Sequence, residues 1–322
     1  MGRSSMIGRN NKIIRLLILL ICCNIFVVPL IYGQDRLPLV LKEGRPSSLS
    51  EETPEYRHPE DPVMVGNSMP KTFKNTRENI IMDTAHVLIP FFEKLRVRRE
   101  PVRIVHIGDS HIRGYVLPLT VRRNLENEFG GEAVYPDTIT YHTSGIAHET
   151  GKPGVVYQMI GINGSTCAGF TNAMQVSEIA SLHPDLIILS FGTNESHGRG
   201  YTPSVHEQEM DALIGMLREA CPNVAILLTT PPGSYIRYRR NRSINTRTPL
   251  VAKTIVEYAW KHGYAVWDMY NIVGGRERAC LNWVNGNYMV RDRVHYTAAG
   301  YTVQGNLLYE ALIKAYNDYV SN

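Results

Sequence analysis

Cysteine is scarce in this chain and poorly placed for cross-linking. Five occur in 322 residues; Cys22 and Cys23 sit together near the N-terminus, and Cys167, Cys221 and Cys280 form an odd set with no C-x-x-C pair. That pattern excludes a disulfide-built fold and a zinc site made of cysteines. It leaves room for one disulfide plus a free thiol, and otherwise reads as three buried cysteines. A charge excess is missing as well. Of the 34 basic residues, Arg3, Arg9, Lys12 and Arg15 belong to the extreme N-terminus, and without them the count is 30 against 30 acidic residues. Nothing in that balance calls for nucleic acid or an anionic membrane surface. Internal repeats are absent too.

The chain does have a distinctive start. A basic, acid-free opening leads into LLILLICCNIFVVPLIYG and then Gln34-Asp35. This is the layout of a secretory signal cut after Gly33, so residues 1–33 are expected to direct export to the periplasm or medium. A retained anchor over residues 16–32 is the alternative; the run is short for a span and holds Asn24 and Pro29. Only in the anchored case is a membrane a partner. Residues 34–72, rich in Pro, Ser, Glu and Arg, read as a linker or a surface-hugging arm, and 73–322 as the folded domain.

Within that domain, Asn75 and Glu78 form a capping-box pattern before Ile80, Ile81, Val87, Leu88, Phe91 and Leu95, which predicts a helix. From 102 onward VRIVHI, VVYQMIGI, DLIILSF, VAILLTT and YAVWDMY are apolar, strand-like runs. Helix signals lie between and after them: Ser204 with Glu207, Thr248-Pro249 closed by Gly263, and Thr297 before the last helix. Alternation of this kind predicts a three-layer α/β/α domain with a five-stranded parallel sheet, flavodoxin-like in its layering. Ligands bind such sheets at the carboxyl ends of the strands.

Chemistry-bearing residues gather at that rim. The turns read Gly108-Asp109-Ser110, then Asn163-Gly164-Ser165-Thr166, then Gly192-Thr193-Asn194-Glu195, with Asp292-Arg293-Val294-His295 before the last helix. The serine elbow G-x-S-x-G is not among them, because Ile112 stands where glycine would be required. A serine hydroxyl needs a base within hydrogen-bond reach to attack an ester; histidine titrates in the right range and can return the proton, and a carboxylate on its other nitrogen fixes the tautomer. Taken singly, Ser110 also reads as a helix cap, Asp292 as a helix N-terminal acid, and Asn194 as turn chemistry.

The four blocks, in this order, resemble the SGNH, or GDSL, hydrolase superfamily over about residues 102–318. The resemblance implies Ser110 as nucleophile, His295 as general base and Asp292 as its orienting carboxylate. It further implies an oxyanion hole from the backbone N–H of Ser110, the backbone N–H of Gly164 and the side-chain amide of Asn194. No metal or organic cofactor is implied. Asp109 is expected to hold the nucleophile turn. Glu195, where the usual pattern has aspartate, is expected to support its loop. His111, directly after the serine, resembles a variant found among esterases that deacetylate bacterial cell-wall glycan.

Substrate clues are thinner. His111, His142, His148 and His197 are candidates to line the cleft, whereas His106, mid-strand, reads as a satisfied core residue. The histidines show no metal-ligand spacing. The run YIRYRRNRSINTR, 235–247, is either a solvated basic loop or a cleft wall, with Arg237 and Tyr238 meeting carboxylates and sugar faces. With no long apolar lid segment after the leader, the expected activity is removal of a short acyl group, acetyl first, from a glycan such as a polysaccharide, an oligosaccharide or peptidoglycan. An O-acetyltransferase using the same site and a non-catalytic glycan-binding module of the same fold are the competing readings.

Overall fold

A computed structural model describes residues 62–136, 147–238 and 241–322 of the chain. The expected leader and the start of the arm lie outside the described residues, as does His142. In chain order the elements are α1 (Ile89–Val97), β1 (Pro101–Gly108), α2 (Ser110–Arg113), α3 (Val116–Phe129) and β2 (Gly154–Gly161). Next come α4 (Cys167–Phe170), α5 (Ala173–Ser181), β3 (Leu186–Ser190), α6 (Thr193–His197), α7 (Pro203–Ala220) and β4 (Ala225–Thr229). The chain continues with β5 (Tyr235–Tyr238), β6 (Asn241–Ile244), α8 (Thr248–His262), β7 (Ala265–Trp267), α9 (Met269–Ile272), α10 (Gly275–Asn285) and α11 (Ala298–Ser321).

Five strands pair in parallel in the order β2-β1-β3-β4-β7. Both faces are covered, which is why the strands read as unbroken apolar runs. One face carries Ile104, Tyr157, Ile188 and Leu227 with Phe91, Val121, Leu307 and Leu312; the other carries Val105, Ile187 and Leu228 with Ile179, Leu213 and Ile255. The expected α/β/α layering is thus the fold. The register levels the strand ends: Gly108 pairs with Gly161 and with Ser190, and Ser190 with Thr229. Four strands therefore finish at one height, and their turns open on one rim.

Three local expectations are corrected. The capping box at Asn75 starts no helix, and α1 begins only at Ile89, with Pro90 in its first turn. Residues before it serve the sheet instead. Met82 exchanges two backbone hydrogen bonds with Val266 on the β7 edge, both 2.9 Å, and the Arg77 N–H donates to Ile272. An unpaired edge outweighed helix propensity. Ser204 does not cap α7, which begins at Pro203 after Thr202 with no side-chain cap; proline's fixed φ suits the first helical position. The fifth strand stops at Trp267, because Asp268 caps α9 through the Asn271 N–H.

The other boundaries stand as read. Gly263 ends α8 at φ +69°, and Thr297 Oγ1 accepts the Gly300 N–H at the start of α11. The arm hugs this last helix from Val63 on: the Val63 N–H donates to Asn317 Oδ1 at 2.7 Å, and Ser68 to Glu310 Oε2 at 2.7 Å. Cys167, Cys221 and Cys280 are free thiols, with Cys221 only half-buried.

Gly108 is the position where packing leads into chemistry. A Cβ placed there would lie 2.5 Å from the Ser190 carbonyl oxygen and 2.5 Å from Ile112 Cγ1. Gly108→Ala is therefore expected to lower unfolding stability by about 2–3 kcal/mol in urea titration, since neither the neighbouring backbone nor a buried isoleucine can yield cheaply.

Candidate active site

The turn after β1 is built around Asp109. Its backbone is extended at the N-cap of α2, and its Oδ1 accepts the His111 N–H at 2.9 Å. Ser110 is thereby the first residue of a short helix, with its side chain at the rim. The fourth block meets it there: Ser110 Oγ lies 2.9 Å from His295 Nε2, and His295 Nδ1 lies 2.8 Å from Asp292 Oδ2. The other Asp292 oxygen accepts the N–H groups of Val294 at 2.8 Å and His295 at 2.9 Å.

This loop is tightly specified. Arg293 adopts φ +56°, and the Val290 N–H donates to the His295 carbonyl. Partial burial acts to raise the Asp292 carboxyl, but the hydrogen bonds from His295 and the two backbone N–H groups outweigh it and hold the group below its ordinary value. An ionised carboxylate on Nδ1 keeps the proton there and turns the Nε2 lone pair toward the serine hydroxyl. The side chains of His295 and Asp292 are 40% and 45% exposed, so the assembly opens to solvent.

The second and third blocks converge on the same turn. Asn194 Nδ2 donates to Asp109 Oδ2 at 3.2 Å and to the Ser165 carbonyl at 2.9 Å. Gly164, beside Ser165, has φ +76° and open space where a side chain would sit, a conformation that favours glycine and leaves its backbone approachable. Glu195 is 7% exposed; its Oε1 accepts the Cys167 N–H at 3.0 Å and its Oε2 the Gly192 N–H at 2.8 Å. It ties the turns after β2 and β3 together, as expected of a loop support.

His111 departs from its expected place. Instead of lining an open cleft it is buried, with Nδ1 2.9 Å from Tyr301 Oη and its ring 5.4 Å from that of His295. Burial pushes its pKa down to about 3, which makes it a neutral support behind the histidine and not a substrate contact. A residue on the inner side of a one-turn helix faces the core; only the alternation of exposure inside that turn carried the signal.

His197, on α6, is half-buried and sits 2.9 Å from Ser234 Oγ; burial and then the charge of Arg247 lower its pKa. His106 fulfils its core role, bonded to Tyr157 Oη and Ser190 Oγ, both at 2.7 Å. His148 is exposed beside the Val134–Glu149 bridge.

The basic run forms an antiparallel hairpin, β5 with β6, in which Arg237 faces Arg242 in register. Arg237 is exposed; the side chain of Tyr238 and residues 239–240 lie outside the described residues. The hairpin is joined to the histidine loop: the Tyr235 N–H donates to the Arg293 carbonyl, and the Arg293 guanidinium stands 5.1 Å over the Tyr235 ring. Sequence reasoning missed the outcome. Arg242, Arg291 and Arg293 line a groove of about 370 Å³ with Asn287. The signal was present in Arg291 and Arg293, which flank Asp292.

Burial pushes the Asp109 carboxyl up to about 7 from an ordinary 3.8. A carboxyl raised on folding stabilises the native state fully below its unfolded value, and that contribution is lost as pH rises through the folded value. Thermal melts are therefore expected to show Tm falling between about pH 4 and pH 7 and levelling off above, with a shallower fall in Asp109→Asn.

Residues 106–303 match the GDSL-like lipase/acylhydrolase family. No curated protein matches the chain. Among solved structures, a peptidoglycan O-acetylesterase is similar with a TM-score of 0.63 at 19% identity, over 74% of this chain and 99% of its own. An acetyl xylan esterase gives 0.49 at 18% identity over 66% and 100%, and a GDSL-like lipase from Bacteroides thetaiotaomicron gives 0.45 at 18% over 72% and 98%. At these identities the first of the three speaks for the fold. The family match speaks for more: it runs from His106 to Val303 and takes in Ser110, Gly164, Asn194, Asp292 and His295, and on that ground the chain belongs to the GDSL-like lipase/acylhydrolase family.

Proposed function

We propose that this protein is an exported serine esterase that removes short acyl groups, acetyl by preference, from an acidic carbohydrate. The observation that carries the reading is the hydrogen-bonded line from Ser110 through His295 to Asp292, 2.9 and 2.8 Å in its two links.

In this reading Ser110 Oγ attacks the ester carbonyl carbon while its proton passes to His295 Nε2. The tetrahedral oxyanion is held by the backbone N–H groups of Ser110 and Gly164 and by Asn194 Nδ2. Asn194 frees a proton for it by giving up its bond to Asp109, at 3.2 Å the longer of its two. Collapse expels the sugar alkoxide, which takes the proton from His295 and leaves acyl-Ser110. Water then attacks the acyl carbon, His295 accepts its proton and returns it to Ser110, and acetate departs.

Three features support the substrate class. The half-exposed triad admits a polymer where a sealed pocket would not. The three-arginine groove next to the His295 loop suits carboxylate-bearing sugars, because guanidinium pairs with carboxylate in two parallel hydrogen bonds. The similar fold of a peptidoglycan O-acetylesterase agrees with a glycan ester. Export rests on the basic, then apolar, N-terminus, and sequencing the N-terminus of the secreted protein tests it.

Acetate release from O-acetylated xylan, pectin and peptidoglycan is the direct test. Ser110→Ala is expected to abolish it, and Asn194→Ala to lower turnover by about 10²–10³. Release that persists in Ser110→Ala would overturn the mechanism. Loss of the groove's charge is expected to act on binding: Arg242→Ala or Arg291→Ala raises KM about tenfold on an acidic polymer and less on neutral xylan. Equal effects on the two polymers would remove the acidic-sugar assignment.

A further inference from the structure

Away from the rim's open side, three helices bring together a thiol, a carboxylate and an imidazole. Cys167 opens α4, Glu195 lies on α6 and His206 on α7. Sγ, a carboxylate oxygen and a ring nitrogen all lie within 4.8 Å of one another. The three residues are 4%, 7% and 2% exposed, in a layer with Phe170, Phe191 and Met210. None is used by the ester chemistry. The ligands come from separate helices, so no linear spacing announced them.

The histidine is oriented for this cluster. His206 Nδ1 lies 3.2 Å from Tyr201 Oη; the Tyr201 hydroxyl donates to Thr254 Oγ1, and Thr254 donates to the Leu250 carbonyl. Both hydroxyl protons are committed down that chain, so the phenol oxygen accepts and Nδ1 must carry the imidazole proton. Nε2 then presents a lone pair. It is buried without a hydrogen-bond partner and faces Glu195 Oε1 at 4.0 Å. Glu195 is fixed in turn: its oxygens accept the Cys167 and Gly192 backbone N–H groups at 3.0 and 2.8 Å, and it also takes the Cys167 thiol, whose proton is the one an ion would replace. A neutral imidazole whose far nitrogen is anchored by an outer hydrogen bond is how proteins prepare a metal ligand.

We propose that Cys167, Glu195 and His206 bind a divalent transition metal, zinc by donor set, as a structural site beneath the turns that carry Gly164 and Asn194. Thiolate, imidazole and carboxylate are zinc's ligand types. Thiolate and carboxylate together cancel the ion's double charge, so the filled site is neutral inside an apolar layer, where unbalanced charge is costly. A water carried in with the ion completes the tetrahedron, whose ligands lie about 3.5 Å apart, so the widest separation among the three protein atoms, at most 4.8 Å, closes by about 1.3 Å or less. Binding displaces the thiol proton to solvent and forms the zinc–sulfur bond. The ion clamps α4, α6 and α7 and thereby fixes the turns after β2 and β3. Without it, burial pushes the thiol well up and the imidazole down to about 4, leaving both uncharged.

The test loads the whole chain during refolding with cobalt(II) as a spectroscopic probe, and separately with zinc(II), then removes loose metal by gel filtration. Expected are one ion per chain, a thiolate-to-cobalt charge-transfer band in the near ultraviolet, and a Tm about 5–10 °C higher at zinc a hundredfold above its dissociation constant. Cys167→Ser loses the band. Tyr201→Phe, which keeps the core volume, weakens cobalt binding about tenfold or more by removing the outer hydrogen bond. A wild-type chain that refolds but retains no metal and shows no band overturns the proposal. So does retention that Cys167→Ser and His206→Gln leave unchanged, since the ion would then sit elsewhere.

Discussion

One buried carboxylate, that of Asp109, sits where three of the four rim turns meet. Through Oδ1 it holds the His111 N–H and so shapes the helical turn that presents Ser110; through Oδ2 it takes the Asn194 amide, which also reaches back to Ser165. Burying a carboxylate is costly, and the hydrogen bonds it accepts offset only part of that cost. Its raised pKa is the residue of the imbalance. The group stays because its two oxygens accept from two directions at once. An amide in its place would set one NH2 group against another.

Around this centre, supporting and working groups part by burial. Asp109, His111 and Glu195 are almost sealed, whereas Ser110, Asp292 and His295 are only partly covered. Close packing behind the site resists displacement, so the serine and the imidazole meet without covering the approach of a large substrate. The sheet contributes the levelling: parallel register brings Gly108, Gly161 and Ser190 to one height, and each turn starts from a fixed point.

Much of this was legible from local signals. The strands showed as apolar runs because both faces are covered, and the blocks at 110, 164, 194 and 292–295 showed because each follows a strand or precedes a helix. What stayed hidden depended on distant partners. The stretch at Asn75 looks helical by its own spacing and is irregular instead, leading to Met82, which pairs with the open outer edge of β7. His111 looks available beside Ser110, yet Tyr301 draws its ring inward. Arg291 and Arg242 are far apart in sequence and share a groove only because the β5–β6 hairpin is tied to the Arg293 carbonyl. Local spacing carries no account of an edge, a buried phenol or a tethered hairpin.

The span between serine and base has a consequence for the making of the protein. Ser110 and His295 lie 185 positions apart, and the histidine precedes α11, whose Gly305 sits so close to the Leu117 carbonyl of α3 that a Cβ would come within 2.7 Å. A chain emerging from the ribosome exposes the nucleophile turn long before its base exists. Until residues 292–295 stand beside the nucleophile turn, Ser110 has no base within hydrogen-bond reach and is an ordinary alcohol.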